Sequence, residues 1–267
     1  MARSAEELKQ LSVKEFTEAA KIYESGHAGI YEMCKDDYPQ MLEELALKPF
    51  EDVLDVGCGT GAVLELLHGE YPGKHLTGLD LTPKMIEAAR AKQLGNVRFV
   101  VGDAEALPFE PQSFDAVLCS NSFHHYPHPE RFFAEAARVL RPGGRLILRD
   151  YTSSDFVVWL MNTFELPLAR LAGHGDVRIC KVSELRALAE SAGFLLLKLE
   201  AQKGFRAHLV ARKPSWADHI LGRGISSHAT PFLPDADDVL HAQAHAGDGD
   251  PAAGTQQEWS LGTDLND

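Results

Sequence analysis

The sequence predicts an α/β protein of the doubly wound kind, with a mostly parallel sheet, helices on both faces and an N-terminal helical extension. Three observations carry that prediction. From residue 52 onward, short apolar runs rich in β-branched residues alternate with segments of helical period. The first run opens through a glycine-rich turn into a helix, which lets a ligand approach the backbone closely. The last two strand-like runs follow one another directly and can pair as an antiparallel hairpin.

Residues 5–47 read as helices. Phe16, Ala19, Ala20 and Tyr23 lie at helical spacing, a second periodic run from Tyr38 to Leu47 ends before Pro49, and a glycine-containing joint at Gly26 to Gly29 separates them. The alternation then runs Asp52 to Val56 (strand), Ala62 to His68 (helix), His75 to Asp80 (strand), Lys84 to Ala91 (helix) and Val97 to Val101 (strand). It resumes with a strand from Phe114 to Cys119, a helix from Glu130 to Leu140 and a strand from Arg145 to Asp150, with Pro142-Gly143-Gly144 expected as a turn. After an insert come a helix from Ser183 to Ser191, stopped by Gly193, and the runs Phe194 to Glu200 and Arg206 to Ala211. The chain thus divides into a helical extension over 1–48, a sheet domain over 49–212 carrying an insert at 151–180, and a tail over 213–267. In the tail, Gly, Pro, Asp, Ala and His accumulate without a period, and it is expected to be poorly ordered.

Charge narrows the partners. The formal net charge is −13, of which −7 belongs to residues from Lys213 onward, and no Lys/Arg stripe interrupts the acidity. A phosphate backbone would be repelled, so a small-molecule partner is expected and nucleic acid is not. Cys34, Cys58, Cys119 and Cys180 show no CxxC pair or close Cys/His spacing, against a zinc knuckle or a disulfide framework. The N-terminus has charges where a signal peptide needs an apolar run, so a cytoplasmic protein is expected. The stretch from Phe156 to Leu171 is broken by Asn162, Glu165, Pro167 and Arg170 and falls short of the roughly 20 apolar residues of a membrane span. It is expected as a buried or lid helix.

The chemistry begins at Asp55-Val56-Gly57-Cys58-Gly59-Thr60-Gly61, where a nucleotide-like cofactor is expected. The spacing Gly57, Gly59, Ala62, with Asp80 ending the second strand, also satisfies the looser dinucleotide fingerprint, so these residues alone leave a nicotinamide oxidoreductase open. Two further segments stand in order behind them: Gly102-Asp103-Ala104-Glu105 with Leu107-Pro108-Phe109 and Phe114-Asp115-Ala116-Val117, and then Val139-Leu140-Arg141-Pro142-Gly143-Gly144-Arg145-Leu146. Taken together the three segments resemble those of class I S-adenosylmethionine-dependent methyltransferases. Over residues 50–212 the resemblance is closest to the small-molecule branch that includes ubiquinone and menaquinone biosynthesis enzymes.

The resemblance implies a seven-stranded sheet with the last strand antiparallel, and S-adenosylmethionine as cofactor. It implies that Asp55 and the backbone from Gly57 through Cys58 and Gly59 to Gly61 hold the methionine part, that Asp80 accepts hydrogen bonds from the ribose hydroxyls, and that Asp103 with Ala104 reads the adenine edge. Leu81 and Met85 are expected to sandwich the adenine, and Ser120 completes the cofactor set. Thr82-Pro83 is expected to cap the helix behind Asp80 through the threonine hydroxyl.

The loop Ser120-Asn121-Ser122-Phe123-His124-His125-Tyr126-Pro127-His128 follows the fourth strand, at the carboxyl edge where ligands of doubly wound folds bind. It replaces the Asn/Asp-Pro-Pro-aromatic motif of amino-methylating DNA and glutamine enzymes, against those substrates. His125 or His124 could take a proton from a hydroxyl acceptor. No metal site is expected, because Pro127 disturbs a face shared with His128. Tyr151, Asp155, Trp159, His174, Asp176 and Arg178 of the insert, with Tyr23 and Tyr31 from the N-terminal side, are expected to close a pocket over an organic acceptor. Tyr23, Tyr31, Asn121, His125 and Tyr151 are the acceptor-binding set, and O- or C-methylation is favoured. Three other readings stand beside it: a soft acceptor such as arsenite, if Cys34 and Cys180 meet; the oxidoreductase; and a cofactor-binding protein without turnover.

Overall fold

A computed structural model describes residues 3–20, 22 and 35–220. Tyr23, Tyr31, Cys34, the joint at Gly26 to Gly29 and the tail beyond residue 220 lie outside the described residues. Helix α1 (Ala5–Ala19) starts on a capping box in which Ser4 and Glu7 each bond the other's backbone N–H. Helix α2 (Tyr38–Ala46) follows a short 3-10 turn, Lys35–Asp37. The sheet domain then runs β1 (Asp52–Val56), α3 (Ala62–Glu70), β2 (His75–Asp80), α4 (Pro83–Ala91), β3 (Val97–Val101), β4 (Phe114–Ser120), α5 (Pro129–Val139) and β5 (Leu140–Tyr151). The insert holds α6 (Asp155–Leu160), a π-helical turn (Met161–Glu165) and α7 (Leu166–Leu171); α8 (Val182–Ser191), β6 (Leu195–Gln202), β7 (Arg206–Arg212) and α9 (Trp216–Ile220) complete the order.

The strands form one seven-stranded sheet in the order β3-β2-β1-β4-β5-β7-β6. All pairings are parallel except those of β7 with β5 and with β6. Successive strand residues point to opposite faces, and both faces are covered, so the central strands are apolar throughout. Leu54, Val117 and Leu146 pack with Phe132 and Phe133 of α5 and Leu185 of α8 on one side. Val53, Leu118 and Ile147 pack with Met41 of α2 and Leu64 of α3 on the other. Strand order reverses between β1 and β4, and the crevice at their carboxyl ends is where ligands of such sheets bind.

Three local expectations are corrected. Pro142-Gly143-Gly144 is no separate turn: β5 begins at Leu140, and the pairing shifts from Phe114↔Leu140 to Ala116↔Arg145, so the extra residues are absorbed as a bulge with Gly143 at φ +84°. The Thr82 hydroxyl makes no capping bond. The stretch from Phe156 to Leu171 is not buried: Phe156, Trp159, Phe164, Leu168 and Leu171 are exposed, and only Val158 and Leu166 are covered. Its π turn lies just before Pro167, which has no N–H to give to the preceding turn. No helix among the described residues is long and apolar enough to cross a membrane.

Candidate active site

The turn after β1 is pinned to β2, because the N–H groups of Gly57 and Cys58 both donate to the Leu79 carbonyl, at 2.8 and 3.0 Å. Gly57 lies at φ +72°, and a Cβ there would meet Ser122 Oγ at 2.2 Å, so β1 and the loop after β4 approach closely only because this residue is glycine. At Gly59 a Cβ would meet nothing within 4 Å; its backbone faces open space. Gly61 is outside the pocket lining, and a side chain there would strike the Phe99 ring at 2.9 Å, so it serves the packing of α3 on the sheet.

The open space is a crevice with two lobes. The first is lined by Asp55, Gly57, Cys58, Gly59, Asp80, Met85, Ser120 and Asn121; the second by Asp80, Leu81, Thr82, Gly102, Asp103 and Ala104. Phe16, Gly57, Asp80, Ser122 and His125 line both. All the cofactor residues expected from the sequence, except Gly61, therefore border this crevice. Met85 lines the first lobe and Leu81 the second.

Asp80 ties the crevice together. One carboxylate oxygen accepts the Gly59 N–H at 3.0 Å and the other the Thr82 N–H at 2.8 Å. Desolvation raises its pKa against those bonds. Asp55, buried at the end of β1, is pushed up to about 7, first by desolvation and then by the charge of Asp80. Two acids crowded into a poorly solvated crevice favour a cation between them. The Cys58 thiol is pushed well up by burial and by the two acids, which makes it a protonated packing group and not a nucleophile.

The paired histidines separate. His124 is sandwiched between Asp150 Oδ1, 2.7 Å from Nδ1, and Asp176 Oδ1, 3.3 Å from Nε2. Although desolvation lowers its pKa, the two carboxylates overcome this and hold it at about 10, so it is an ion-paired imidazolium that lines neither lobe. His125 is lowered to about 4 by desolvation and by the charge of His124, and is neutral at pH 7. Its ring meets Phe16 edge-on at 5.0 Å, and its buried Nδ1 has no hydrogen-bond partner. Of the two histidines expected to take a proton, His125 is the neutral one. His124, His125 and Asp176 also bring three potential ligand atoms within 4.8 Å of one another, with no cysteine in any such group among the described residues. The Nε2 proton of His124 lies on the Asp176 side, where a metal would have to replace it.

Asn121, at φ +51°, donates from Nδ2 to Asp37 Oδ2 at 2.9 Å and to Ser120 Oγ at 3.1 Å, which fixes the amide's orientation because a carboxylate can only accept. Its buried Oδ1 is left without a partner. Tyr151 is elsewhere: it lines a separate cavity, with the Arg206 guanidinium 4.2 Å over its ring.

Sequence reasoning missed the contribution of α1. Lys9, Ser12 and Phe16 border the crevice, and Lys9 pairs with Asp103 and Glu105 at 2.6 Å each. The same helix grips the insert through Ser12 Oγ to the Gly175 carbonyl at 3.1 Å and Glu15 to His174 Nδ1 at 2.7 Å. A lone Lys, Ser and Phe in a polar helix give no signal in sequence. Also missed was Arg149, whose signal was visible: an Arg-Asp pair closing the buried run Leu146-Ile147-Leu148.

Residues 54–148 match the family described as "Methyltransferase domain". Among curated relatives, the chain is 44% identical over 106 residues to phthiotriol/phenolphthiotriol dimycocerosates methyltransferase of Mycobacterium leprae, covering 39% of this chain and 39% of that protein. It is 43% identical over 98 residues to demethylmenaquinone methyltransferase of Thermotoga maritima (37% and 42%), and 39% identical over 122 residues to fatty-acid O-methyltransferase of Mycolicibacterium smegmatis (45% and 44%). Each match spans less than half of the relative's length. A crystal structure from Bacillus halodurans, titled as a putative methyltransferase, aligns with TM-score 0.57 and 28% identity over 67% of this chain and 100% of that one.

Proposed function

We propose that this chain, whose residues 54–148 match a methyltransferase domain, transfers the methyl group of S-adenosylmethionine to a small organic acceptor, at oxygen or carbon, with oxygen preferred. The match to a methyltransferase domain favours this reading over the dinucleotide alternative that the glycine spacing alone left open. What carries the proposal is the two-lobed crevice at the β1/β4 reversal. One lobe holds the acid pair Asp55 and Asp80 beside the open backbone of Gly59, and the other ends on Asp103 and Ala104.

The crevice fits the cofactor's parts. Asp80 spends one lone pair of each oxygen on a backbone N–H and keeps acceptor capacity for two ribose hydroxyls. Asp55, destabilised as an anion where it stands, suits the positively charged amino acid end. Bound S-adenosylmethionine supplies a methyl group made electrophilic by its sulfonium.

The remaining work falls to the chain's own residues. Transfer to a hydroxyl breaks the cofactor's S–CH₃ bond, forms an O–C bond and releases that hydroxyl's proton, leaving the demethylated thioether. Nδ1 of His125, neutral and unpaired at the junction of the lobes, receives a hydrogen bond from the hydroxyl and takes the proton as the oxygen becomes acidic. The fatty-acid O-methyltransferase of M. smegmatis supports both an oxygen acceptor and a largely apolar one. The test is incubation of the chain with methyl-labelled cofactor and a metabolite extract. Label in an organic product supports the proposal, and label confined to the cofactor in every extract contradicts it.

A further inference from the structure

Behind the acceptor side of the crevice lies a second cavity, of ≈ 790 Å³, that the cofactor residues do not border. Its size is that of a small-molecule site, about 300–1,000 Å³. One wall is apolar: Val157, Leu160 and Met161 of the insert, Ile179, and Phe205 at the β6–β7 turn. The floor is polar and rigid. Arg149, 2% exposed, places Nε 2.8 Å from Asp37 Oδ1, and Arg206 Nε lies 3.0 Å from Asp37 Oδ2.

Two features connect this cavity to the reaction. Asp37, on its floor, is hydrogen-bonded to Asn121, which lines the cofactor crevice, so the two spaces are separated there by a single side-chain pair. Asn121 carries a buried oxygen without a partner, a place for a donor that the chain itself does not supply. At the opposite end, Leu160 belongs both to the cavity wall and to the exposed apolar stripe of the insert. An aliphatic chain longer than the cavity would emerge along that stripe and not into water.

We propose that this cavity binds the acceptor, and that the acceptor is a long-chain aliphatic amphiphile. Its oxygen-bearing head reaches past the Asp37–Asn121 pair to the crevice, where His125 and the methyl group are placed, and its chain leaves past Val157 and Leu160. The inference deepens the methyl-transfer proposal and rests on it for the word acceptor; binding of the chain does not need the cofactor.

The test is therefore titration of the full chain, without cofactor, with linear alkanoic acids and matched 1-alkanols of eight to twelve carbons, on the order of the length one cavity of this size admits. Affinity should rise about three- to fourfold per added methylene, the effect of burying one CH₂. Alcohols should bind at least as tightly as the matched acids, because Arg149 and Arg206 are engaged by Asp37 and the polar atom left open beside the cavity, Asn121 Oδ1, accepts and would repel a carboxylate; acids binding clearly more tightly overturn that placement of the head. Leu160→Asp, at a position 43% exposed and therefore tolerant of the change, should weaken chain binding at least tenfold and leave the affinity for S-adenosylhomocysteine unchanged. A flat chain-length series, or a series unaltered by Leu160→Asp in protein with parental circular dichroism, overturns the proposal. Loss of cofactor binding in the parent would instead overturn the methyl-transfer reading.

Discussion

Replacing Asp80 with Ala removes one carboxylate that does two jobs. Its oxygens accept from Gly59 N–H and Thr82 N–H, which locks the glycine turn to the start of α4, and Asp80 borders the crevice in which we propose the ribose hydroxyls bind. A hydrogen bond to a charged group is worth about 1.5–3 kcal/mol. Losing both backbone bonds would cost more than that range if nothing replaced them. Burial already disfavours the Asp80 anion, however, and water entering the crevice can satisfy the freed donors, so the loss of fold stability should stay near about 1–2 kcal/mol. Affinity for S-adenosylhomocysteine should fall by about 1.5–3 kcal/mol, or roughly 10- to 150-fold. Asp80→Asn, which keeps one acceptor oxygen, should fall between parent and Ala. Titration calorimetry beside denaturant unfolding on the same samples separates the two effects. Parental affinity in a folded Asp80→Ala protein would refute the ribose assignment, and affinity lost only in step with unfolding would reduce Asp80 to a turn-former.

The other titratable groups make separable predictions. Asp55, raised to about 7, contributes stability as its protonated form, present below its ordinary 3.8 and lost as pH rises through 7. A cationic ligand should reverse the shift, so cofactor binding at pH 6 should release a proton that it does not release at pH 9; calorimetry in buffers of different ionisation enthalpy measures this, and zero release at pH 6 contradicts it. His124, raised to about 10, contributes stability that is complete below 6.5 and lost as pH rises through 10. Asp150→Asn should cost about 3–5 kcal/mol at pH 7, as breaking a buried pair does, and the gap from parent should narrow by pH 10; a gap independent of pH would deny the charge on His124. His125→Ala should lower turnover by about 10²-fold with cofactor affinity unchanged, and because His125 is held at about 4 the parental rate should show no acid limb near 6.5. Parental turnover in that variant would leave His125 as packing.

The sheet was legible because its signals are local. Asp52–Val56, His75–Asp80 and Val97–Val101 are bounded by glycine, proline or a capped helix, and their apolar runs admit one reading once helices cover both faces. The cofactor crevice was legible for the same reason, since Asp55, Asp80 and Asp103 each stand at or just beyond the carboxyl end of a strand. What sequence could not give was the environment of each group. Two adjacent histidines are pushed in opposite directions because one faces Asp150 and Asp176 and the other is buried beside its charge. The cavity behind Asn121 was hidden because it is assembled from residues 36–40, 149–165, 179 and 202–206, which meet only when β7 returns antiparallel beside β5. The mixture of aromatic and polar groups in the insert likewise did not show that its apolar residues face outward.

The account depends most on the crevice being a site for a sulfur nucleoside, and calorimetric titration of the full chain with S-adenosylmethionine, its demethylated product and NAD tests that directly. The prediction is binding of both sulfur nucleosides at about −8 kcal/mol, a low-micromolar constant, with NAD far weaker. Tight binding of NAD with no response to either sulfur nucleoside would contradict it.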